Sequence, residues 1–185
     1  MADFVHLHNH SEFSLLDGLS KIPDMVARAK ELGMKALAIT DHGALYGAIK
    51  FYHECKRAGI KPIVGVEIYM AEGNDQTHLI LLAKDNDGYK NLMKLVTISH
   101  LEGFYYKPRL DIGALAKHNA GLICLTSCVN GFIANPLLKG QEKEAEERAK
   151  QLSKIFGDGN FYLELQKHQH IENQDLVNEK LIDLS

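Results

Sequence analysis

Hydrophobic residues along this 185-residue chain recur in two alternating patterns. Short apolar runs bounded by turn residues predict strands, and longer stretches with apolar residues three or four apart predict amphipathic helices. The expected strands cover residues 4–8, 35–40, 61–70, 78–83, 121–126 and 161–165, and the expected helices cover residues 22–33, 44–59, 86–101, 111–118, 141–156 and 172–185. This alternation predicts an α/β fold, either a barrel or an open doubly wound sheet.

The predicted strands are apolar at nearly every position, as in "KPIVGVEIYM" at residues 61–70. Such strands are typical of parallel sheets that are covered by helices on their faces. The link of residues 71–77 is too short for a helical crossover, which leaves the parallel pairing of the strands on either side of it open.

Charge and composition narrow the class of protein. A net charge of -3 argues against a protein that binds nucleic acid or membranes through bulk positive charge, so any phosphate must be held by a few side chains or by metal ions. The N-terminus lacks a basic stretch followed by an apolar run, and no segment has eighteen uninterrupted apolar residues, so we expect a cytoplasmic protein. Cys55, Cys124 and Cys128 show no CxxC spacing, which predicts free thiols.

Ten histidines are many for this length, and several unusual polar residues follow predicted strands. In chain order these are His8 and His10, Asp41 and His42, Glu67, Cys128 and His168. Since α/β barrels gather their active sites at the carboxyl ends of strands, we expect these side chains to meet at one edge.

His8 and His10 lie two residues apart on an extended segment, so both rings project the same way and can chelate one ion. His6 has the same parity but lies deeper in the strand. Glu67 stands among apolar neighbours, where an unpartnered carboxylate costs several kcal/mol or takes up a proton. A metal ion removes that cost, and the alternative is a pairing with a basic residue. Imidazole and carboxylate ligands suit Zn, Mn or Fe.

The motif "TDHG" at residues 40–43 contains Asp41, for which two roles stay open. Asp41 either caps the following helix or orients a ligand histidine, while His42 is favoured as a metal ligand. Asp17, in "LLDG", taken by itself is a turn residue before Gly18.

Five stretches carry these motifs in order across nearly the whole chain: "FVHLHNHSEFSLLDG", "ALAITDHGALYGAIKFY", "AGIKPIVGVEIY", "NLMKLVTISHLEGFYYKPR" and "FYLELQKH". Together they resemble the PHP (polymerase and histidinol phosphatase) domain of bacterial DNA polymerase III alpha subunits. The resemblance implies a distorted seven-stranded (β/α) barrel with two or three divalent metal ions, Zn, Mn or Fe. The metal ligands that it implies are His8, His10, Asp17, His42, Glu67, His100 and Cys128.

Within that set we expect Glu67, His8 and His10 to be catalytic, with Glu67 bridging the ions. The residues alone indicated only a helix-end histidine for His100 and a small buried hydrophobe for Cys128. Cys55 and Cys124 are expected to be structural. The remaining histidines considered are His53, His78, His118 and His170, expected to be surface or packing residues, and His168, whose role is left open.

The resemblance implies a metal-dependent phosphodiesterase, a 3'-5' proofreading exonuclease within a DNA polymerase. The expected partners are the primer 3' end of DNA, the rest of the alpha subunit, and a sliding clamp or proofreading subunit, with no membrane. Lys107 and Arg109 in "FYYKPR" are candidates for DNA contact, or part of a surface loop packed by its aromatics.

The family pattern ends with an Asp-x-His pair on a further strand, whereas this chain ends in "LIDLS". We therefore expect residues 1–185 to be a single PHP domain, a C-terminally truncated fragment that lacks its last strand. Two other readings stay open. One is a non-catalytic module that stabilises the polymerase and docks a proofreading subunit, and the other is a small-molecule phosphatase, disfavoured by "LLDG" and "EGFYYKPR".

Overall fold

The computed structural model describes residues 4–72, 75–168 and 170–185. Its helices are α1 (Ile22–Glu31), α2 (Ala48–Ala58), α3 (Asn86–Leu101), α4 (Ile112–Lys117), α5 (Ala134–Leu138), α6 (Glu142–Phe156) and α7 (Gln174–Leu184). Its strands are β1 (Ala36–Ile39), β2 (Lys61–Glu72), β3 (Asp75–Ala83), β4 (Phe104–Tyr105), β5 (Lys107–Leu110), β6 (Leu122–Leu125) and β7 (Phe161–Tyr162). No helix in this part of the chain is long and apolar enough to cross a membrane.

The strands form a mixed sheet around the long strand β2. β1 and β5 run parallel to β2, whereas β3 folds back antiparallel along it. β6 is antiparallel to β3, β7 is parallel to β6, and β4 and β5 form an antiparallel hairpin. The short link after β2 therefore makes a hairpin rather than a crossover, which settles the pairing that the sequence left open; residues 73 and 74 of that link lie outside the described residues.

The register between β2 and β3 shows which of their residues lie on the same face of the sheet. Glu67 lies opposite Ile80, and Tyr69 lies opposite His78. Because alternate residues of a strand point to opposite faces, Glu67, Tyr69 and His78 share one face. The alternate residues of these strands, such as Val66 and Ile68, point to the other face and are buried in the main hydrophobic core.

The described residues form three apolar clusters, of which two pack helices against the sheet. The largest joins the outer face of β2, β3 and β6 to helices α3 to α7, through residues such as Leu81, Leu95 and Phe132. A second joins α1, α2 and β1 around the fully buried Phe51. The third, a small cluster on the inner face, contains Ile80. Helix α3 coincides with the predicted residues 86–101, and its first turn is capped by Asp85, whose side chain accepts from the Gly88 amide.

The expected first strand, residues 4–8, is wrong: the segment is neither strand nor helix. It lies beside β1, where the His6 carbonyl accepts from the Ala38 amide and the Asn9 carbonyl accepts from the Thr40 amide. The Asn9 side chain also donates to the His6 and Ala38 carbonyls. A side-chain amide thus occupies backbone acceptors that a regular ladder would use.

The α/β class is confirmed, but a closed barrel is not. Within the described residues, β7 pairs with β6 alone and the sheet remains open. A largely apolar cleft of about 920 Å³ lies between residues 4–8 and 162–168. The sheet thus has two edges that do not meet.

Smaller departures have local causes. Residues 102–110, for which no strand or helix was predicted, contain the β4–β5 hairpin, because Tyr106 adopts a left-handed turn conformation with φ 59°. Helix α5 was not predicted. The last strand ends at Tyr162 rather than at residue 165, and α2 begins at Ala48 rather than at residue 44.

Helix α3 offers a matched test of the core. Leu95 is fully buried, whereas Leu101 at the end of the same helix is 80% exposed. Leu95→Ala should lower the free energy of unfolding by about 2–5 kcal/mol because it leaves a cavity, and Leu101→Ala should change it by less than about 0.5 kcal/mol. Urea unfolding followed by circular dichroism measures both. Equal effects of the two substitutions would contradict this packing.

Candidate metal centre

Donor side chains converge at the end of the sheet where β1, β2 and β6 have their carboxyl ends. His42 follows β1, Glu67 lies in β2, and Cys128 follows β6, so these three come from strands that run in one direction. His78 lies near the start of β3, which runs the opposite way and so begins at the same edge. A parallel bridge between His42 and Glu67 brings the end of β1 against β2.

The Glu67 carboxylate, only 1% exposed, is the centre of the cluster. Its Oε2 atom lies 2.9 Å from Nε2 of His8 and 2.9 Å from Nε2 of His10. The same oxygen lies 3.7 Å from Nδ1 of His42, and Oε1 lies 2.6 Å from Nδ1 of His78. The close partners of Glu67 are imidazoles, so the structure leaves both expectations for Glu67 open, a metal ion and a pairing with a basic residue.

These contacts shift the ionisation of the cluster. Burial alone raises the pKa of Glu67, but hydrogen bonds from the surrounding histidines outweigh it and hold that pKa well below the usual range. Burial alone lowers the pKa of His8, yet its bonds to Glu164 and Glu67 raise it to about 10. Against the same burial, contacts with Cys128 and Glu67 raise the pKa of His78 to about 9.

His42 behaves differently. Burial lowers its pKa, and the nearby carboxylates of Glu67 and Asp17 oppose that shift only in part. The lowered pKa favours the neutral ring of His42, the form in which imidazole binds metal. Its Nδ1 atom is buried without a hydrogen-bond partner among the described residues.

Three groups of side chains each bring their donor atoms within 4.8 Å of one another: His8, His10 and Glu67; His10, Asp17 and His42; Glu67, His78 and Cys128. They share His10 and Glu67, so they form one continuous cluster. Nitrogen, carboxylate and thiolate donors together suit Zn, Mn or Fe. Because Nδ1 of His42 is also buried without a hydrogen-bond partner among the described residues, the residues present fit divalent cations.

The predicted ligands are distributed unevenly. Six of the seven predicted metal ligands belong to these three groups of donor side chains, and His100 does not. His100 lines the cleft that also contains His10, His42 and Glu67, but its Nε2 donates to the Gly43 carbonyl at 2.8 Å. Asp17 lies 2.9 Å from Nε2 of His42. The ligand role of each residue stays a prediction.

Two residues of the cluster were missed or misassigned from sequence. His78, expected to be a surface or packing histidine, contacts Glu67 because β3 is antiparallel. Glu164, which follows β7, accepts from Nδ1 of His8 at 2.9 Å and from Gln166 at 2.6 Å. This contact turns Nε2 of His8 toward Glu67, as outer carboxylates do for metal-binding histidines. The only available signal for Glu164 was an acid inside the strand predicted at residues 161–165.

Asp41 fits neither of its two expected roles directly. Its buried carboxylate accepts from the Ser11 amide at 2.6 Å, the Ser11 hydroxyl at 2.7 Å and the Ser14 hydroxyl at 2.7 Å. The Ser14 oxygen in turn lies 3.2 Å from Nδ1 of His10. Asp41 thus anchors the loop of residues 11–18 and reaches His10 only through Ser14.

Basic and histidine residues surround the centre. Lys107 donates to the Tyr69 hydroxyl at 3.2 Å and lies in the cleft, while the Arg109 guanidinium stacks on Tyr105, with 4.8 Å to the ring centroid. His168 is exposed and also lines the cleft. Cys55 and Cys124 are buried free thiols, as expected for structural cysteines.

The cleft has a volume of about 960 Å³, which lies in the range of small-molecule sites. An α/β domain with clustered imidazole, carboxylate and thiol donors at one sheet edge defines a class of candidate metal-binding proteins. Residues 6–168 match the PHP domain family. The chain belongs to that family.

Two proteins similar in sequence to this chain are both described as DNA polymerase III subunit alpha. The DNA polymerase III subunit alpha of Borreliella burgdorferi is 50% identical over 193 residues, covering 98% of this chain. The protein of the same description from Aquifex aeolicus is 46% identical over 199 residues, covering 99% of this chain. The chain spans 17% of the length of each of these relatives.

A solved structure shares the fold. A protein from Bifidobacterium adolescentis, whose description is that of a metal-dependent phosphoesterase, aligns with a TM-score of 0.60 over 97% of this chain and 82% of its own. The two sequences are 13% identical, so the likeness concerns the fold alone.

The ion pairs of the metal-free protein make its stability depend on pH. The pKa values of His8 and His78 rise from 6.5 to about 10 and about 9 on folding, so the folded chain holds protons that the unfolded chain releases. Their contribution to the free energy of unfolding is fully present below pH 6.5 and is lost as pH rises through 9 and 10.

Urea unfolding in the presence of a chelator between pH 6 and pH 10.5 should therefore give a falling midpoint. The exposed His53→Ala variant should follow the same curve, whereas His78→Asn should show a shallower fall. A midpoint that rises over this range would show that the pairing is absent.

Glu67→Gln should sharply weaken metal binding, because it keeps the shape of the side chain but removes the charge shared by the cluster. The expected loss exceeds the roughly 10–100-fold that follows removal of an outer partner. Elemental analysis and calorimetric titration with Mn²⁺ or Zn²⁺ measure it. The exposed Glu146→Gln on α6 is the control, and equal metal content in the two variants would exclude Glu67 as a ligand.

Proposed function

We propose that the chain is the PHP domain of a bacterial DNA polymerase III alpha subunit, and that it is a metal-dependent phosphodiesterase acting as a 3'-5' exonuclease on DNA. The observation that carries the proposal is the buried Glu67 carboxylate, shared by four imidazoles. An apolar strand tolerates such a charge only where cations offset it. The polymerase relatives support DNA as the substrate.

The residues divide into ion-binding and substrate-binding sets. His8, His10 and Glu67 would hold one divalent ion, with the groups around His42 and Cys128 holding up to two more. Bound ions of this kind lower the pKa of water and offset the charge on phosphoryl oxygens. Glu67 would serve more than one of these ions, because Oε2 faces His8 and His10 whereas Oε1 faces His78.

The positive side chain nearest to the cleft supports a phosphodiester substrate. Nζ of Lys107 lies 4.4 Å from the centroid of the Tyr69 ring, and the Tyr69 hydroxyl accepts from it. This packing holds the ammonium group at the cleft without a carboxylate partner in those contacts, so its charge is available to a phosphate. In a chain of net charge -3, such local binding replaces a basic surface.

Arg109 has a supporting role in the proposal. Its guanidinium covers the Tyr105 ring, and its Nε is buried without a hydrogen-bond partner among the described residues. Arg109 therefore stiffens the β4–β5 hairpin that carries Lys107, and it is a weaker candidate for direct DNA contact than Lys107.

The double substitution His8→Ala/His10→Ala should abolish Mn²⁺-stimulated removal of 3'-terminal nucleotides from primed DNA, at least 100-fold below the unsubstituted protein, because both rings contact Glu67. The assay follows release of nucleoside monophosphates, which separates an exonuclease from a pyrophosphatase. His53→Ala, an exposed histidine on α2, should retain full activity.

Two results would contradict the proposal. Activity retained by the double variant would remove the centre from the chemistry. Absence of nucleotide release by the unsubstituted protein with Mn²⁺, Zn²⁺ and Fe²⁺ would favour the non-catalytic module instead.

A further inference from the structure

Two bulky residues at the cleft have an unusual backbone conformation. Leu16 has φ 68° and Tyr106 has φ 59°, the left-handed region that large L-residues seldom occupy. Both line the cleft that contains the donor atoms, and they come from two separate loops. Such strain persists only where surrounding contacts impose it, and it is concentrated at functional sites.

Contacts on both sides impose the conformation of Leu16. The Ser14 carbonyl accepts from the amides of Asp17 and Gly18, and the Asp17 carboxylate lies 2.9 Å from His42. Gly18 is packed so tightly that an added Cβ would lie 1.9 Å from the Ser11 carbonyl oxygen. The loop is therefore rigid, yet it leaves the Leu16 side chain fully exposed.

Contacts within the β4–β5 hairpin hold Tyr106 in its conformation. It is the single residue between the paired Tyr105 and Lys107. Its ring lies 4.7 Å from the Tyr105 ring in an edge arrangement, and Tyr105 is itself covered by Arg109. The Tyr106 side chain is nevertheless 80% exposed. A supported aromatic ring that faces solvent is ready to stack against a ligand.

The chemistry around these two residues specifies the ligand. The floor of the cleft has clustered metal donors, and Lys107 adds a positive charge. Leu16 and Tyr106 add apolar and aromatic surface, which gains free energy only when another apolar or aromatic group covers it. An anionic phosphate attached to a flat aromatic base satisfies both parts of the cleft, since bases stack on aromatic side chains whatever their sequence.

We propose that Leu16 and Tyr106 form a base clamp, which holds the terminal nucleobase while its phosphodiester lies over the metal donors. The inference rests on the proposed function in one respect, the position of the phosphodiester. The clamp selects nucleic-acid termini over small phosphate esters that carry no base.

The first test uses two single-stranded oligodeoxynucleotides that differ only at the 3' terminus, one ending in thymidine and the other in an abasic residue. With Mn²⁺, the protein should remove the thymidine terminus with about tenfold higher kcat/KM, in the range that one stacked base supplies. Leu16→Asn and Tyr106→Asn should each move this ratio toward one and leave removal of the abasic terminus unchanged. Asparagine tolerates the left-handed conformation, so both variants should fold.

Two variants are matched controls. Tyr106→Phe keeps the ring and should keep the ratio. Leu19→Ala removes a leucine that is 93% exposed in the same region of the chain but does not line the cleft, and it should also keep the ratio. A ratio of one in the unsubstituted protein, or Asn variants that keep the original ratio, would overturn the clamp.

A second measurement does not depend on cleavage. An oligodeoxynucleotide with 2-aminopurine at its 3' terminus should lose fluorescence on binding, because stacking quenches this base, and Tyr106→Asn should restore most of it. Quenching without cleavage would support the clamp and overturn the exonuclease proposal. Cleavage of both termini at equal rates without quenching would support the exonuclease and overturn the clamp.

Discussion

The buried Glu67 carboxylate is the constraint on which the rest of this structure depends. A charge at 1% exposure in an apolar strand costs several kcal/mol unless opposite charges or cations meet it. The chain meets it with imidazoles that arrive from the N-terminal segment, from the end of β1 and from β3. The positions of these elements are therefore tied to one side chain, which explains why the cluster is continuous.

The direction of β3 decides how complete that cluster is. In a uniformly parallel sheet, only residues that follow strands reach the carboxyl edge. Because β3 runs antiparallel to β2, its beginning lies at that edge and adds His78 to the partners of Glu67. The same hairpin lets β6 run parallel to β2, so that Cys128 follows its strand into the same group.

The loops around the centre are rigid for reasons that lie outside it. Asp41 anchors residues 11–14 through three short hydrogen bonds, and Arg109 stiffens the β4–β5 hairpin by stacking on Tyr105. The rim can therefore hold Leu16 and Tyr106 in strained, exposed conformations. Donor atoms and exposed apolar side chains thus line one cleft, and the proposed base clamp depends on this combination.

The sequence by itself determined the features that depend on local pattern. Apolar periodicity placed the helices, residues 86–101 among them, and an acid inside an apolar strand marked Glu67, while the parity of His8 and His10 placed them together. Tertiary structure alone decided the open sheet, the hairpin of β2 and β3, and the roles of His78, Glu164 and Asp41. These depend on strand direction and register, which join residues far apart in the chain and leave no periodic signal within either segment.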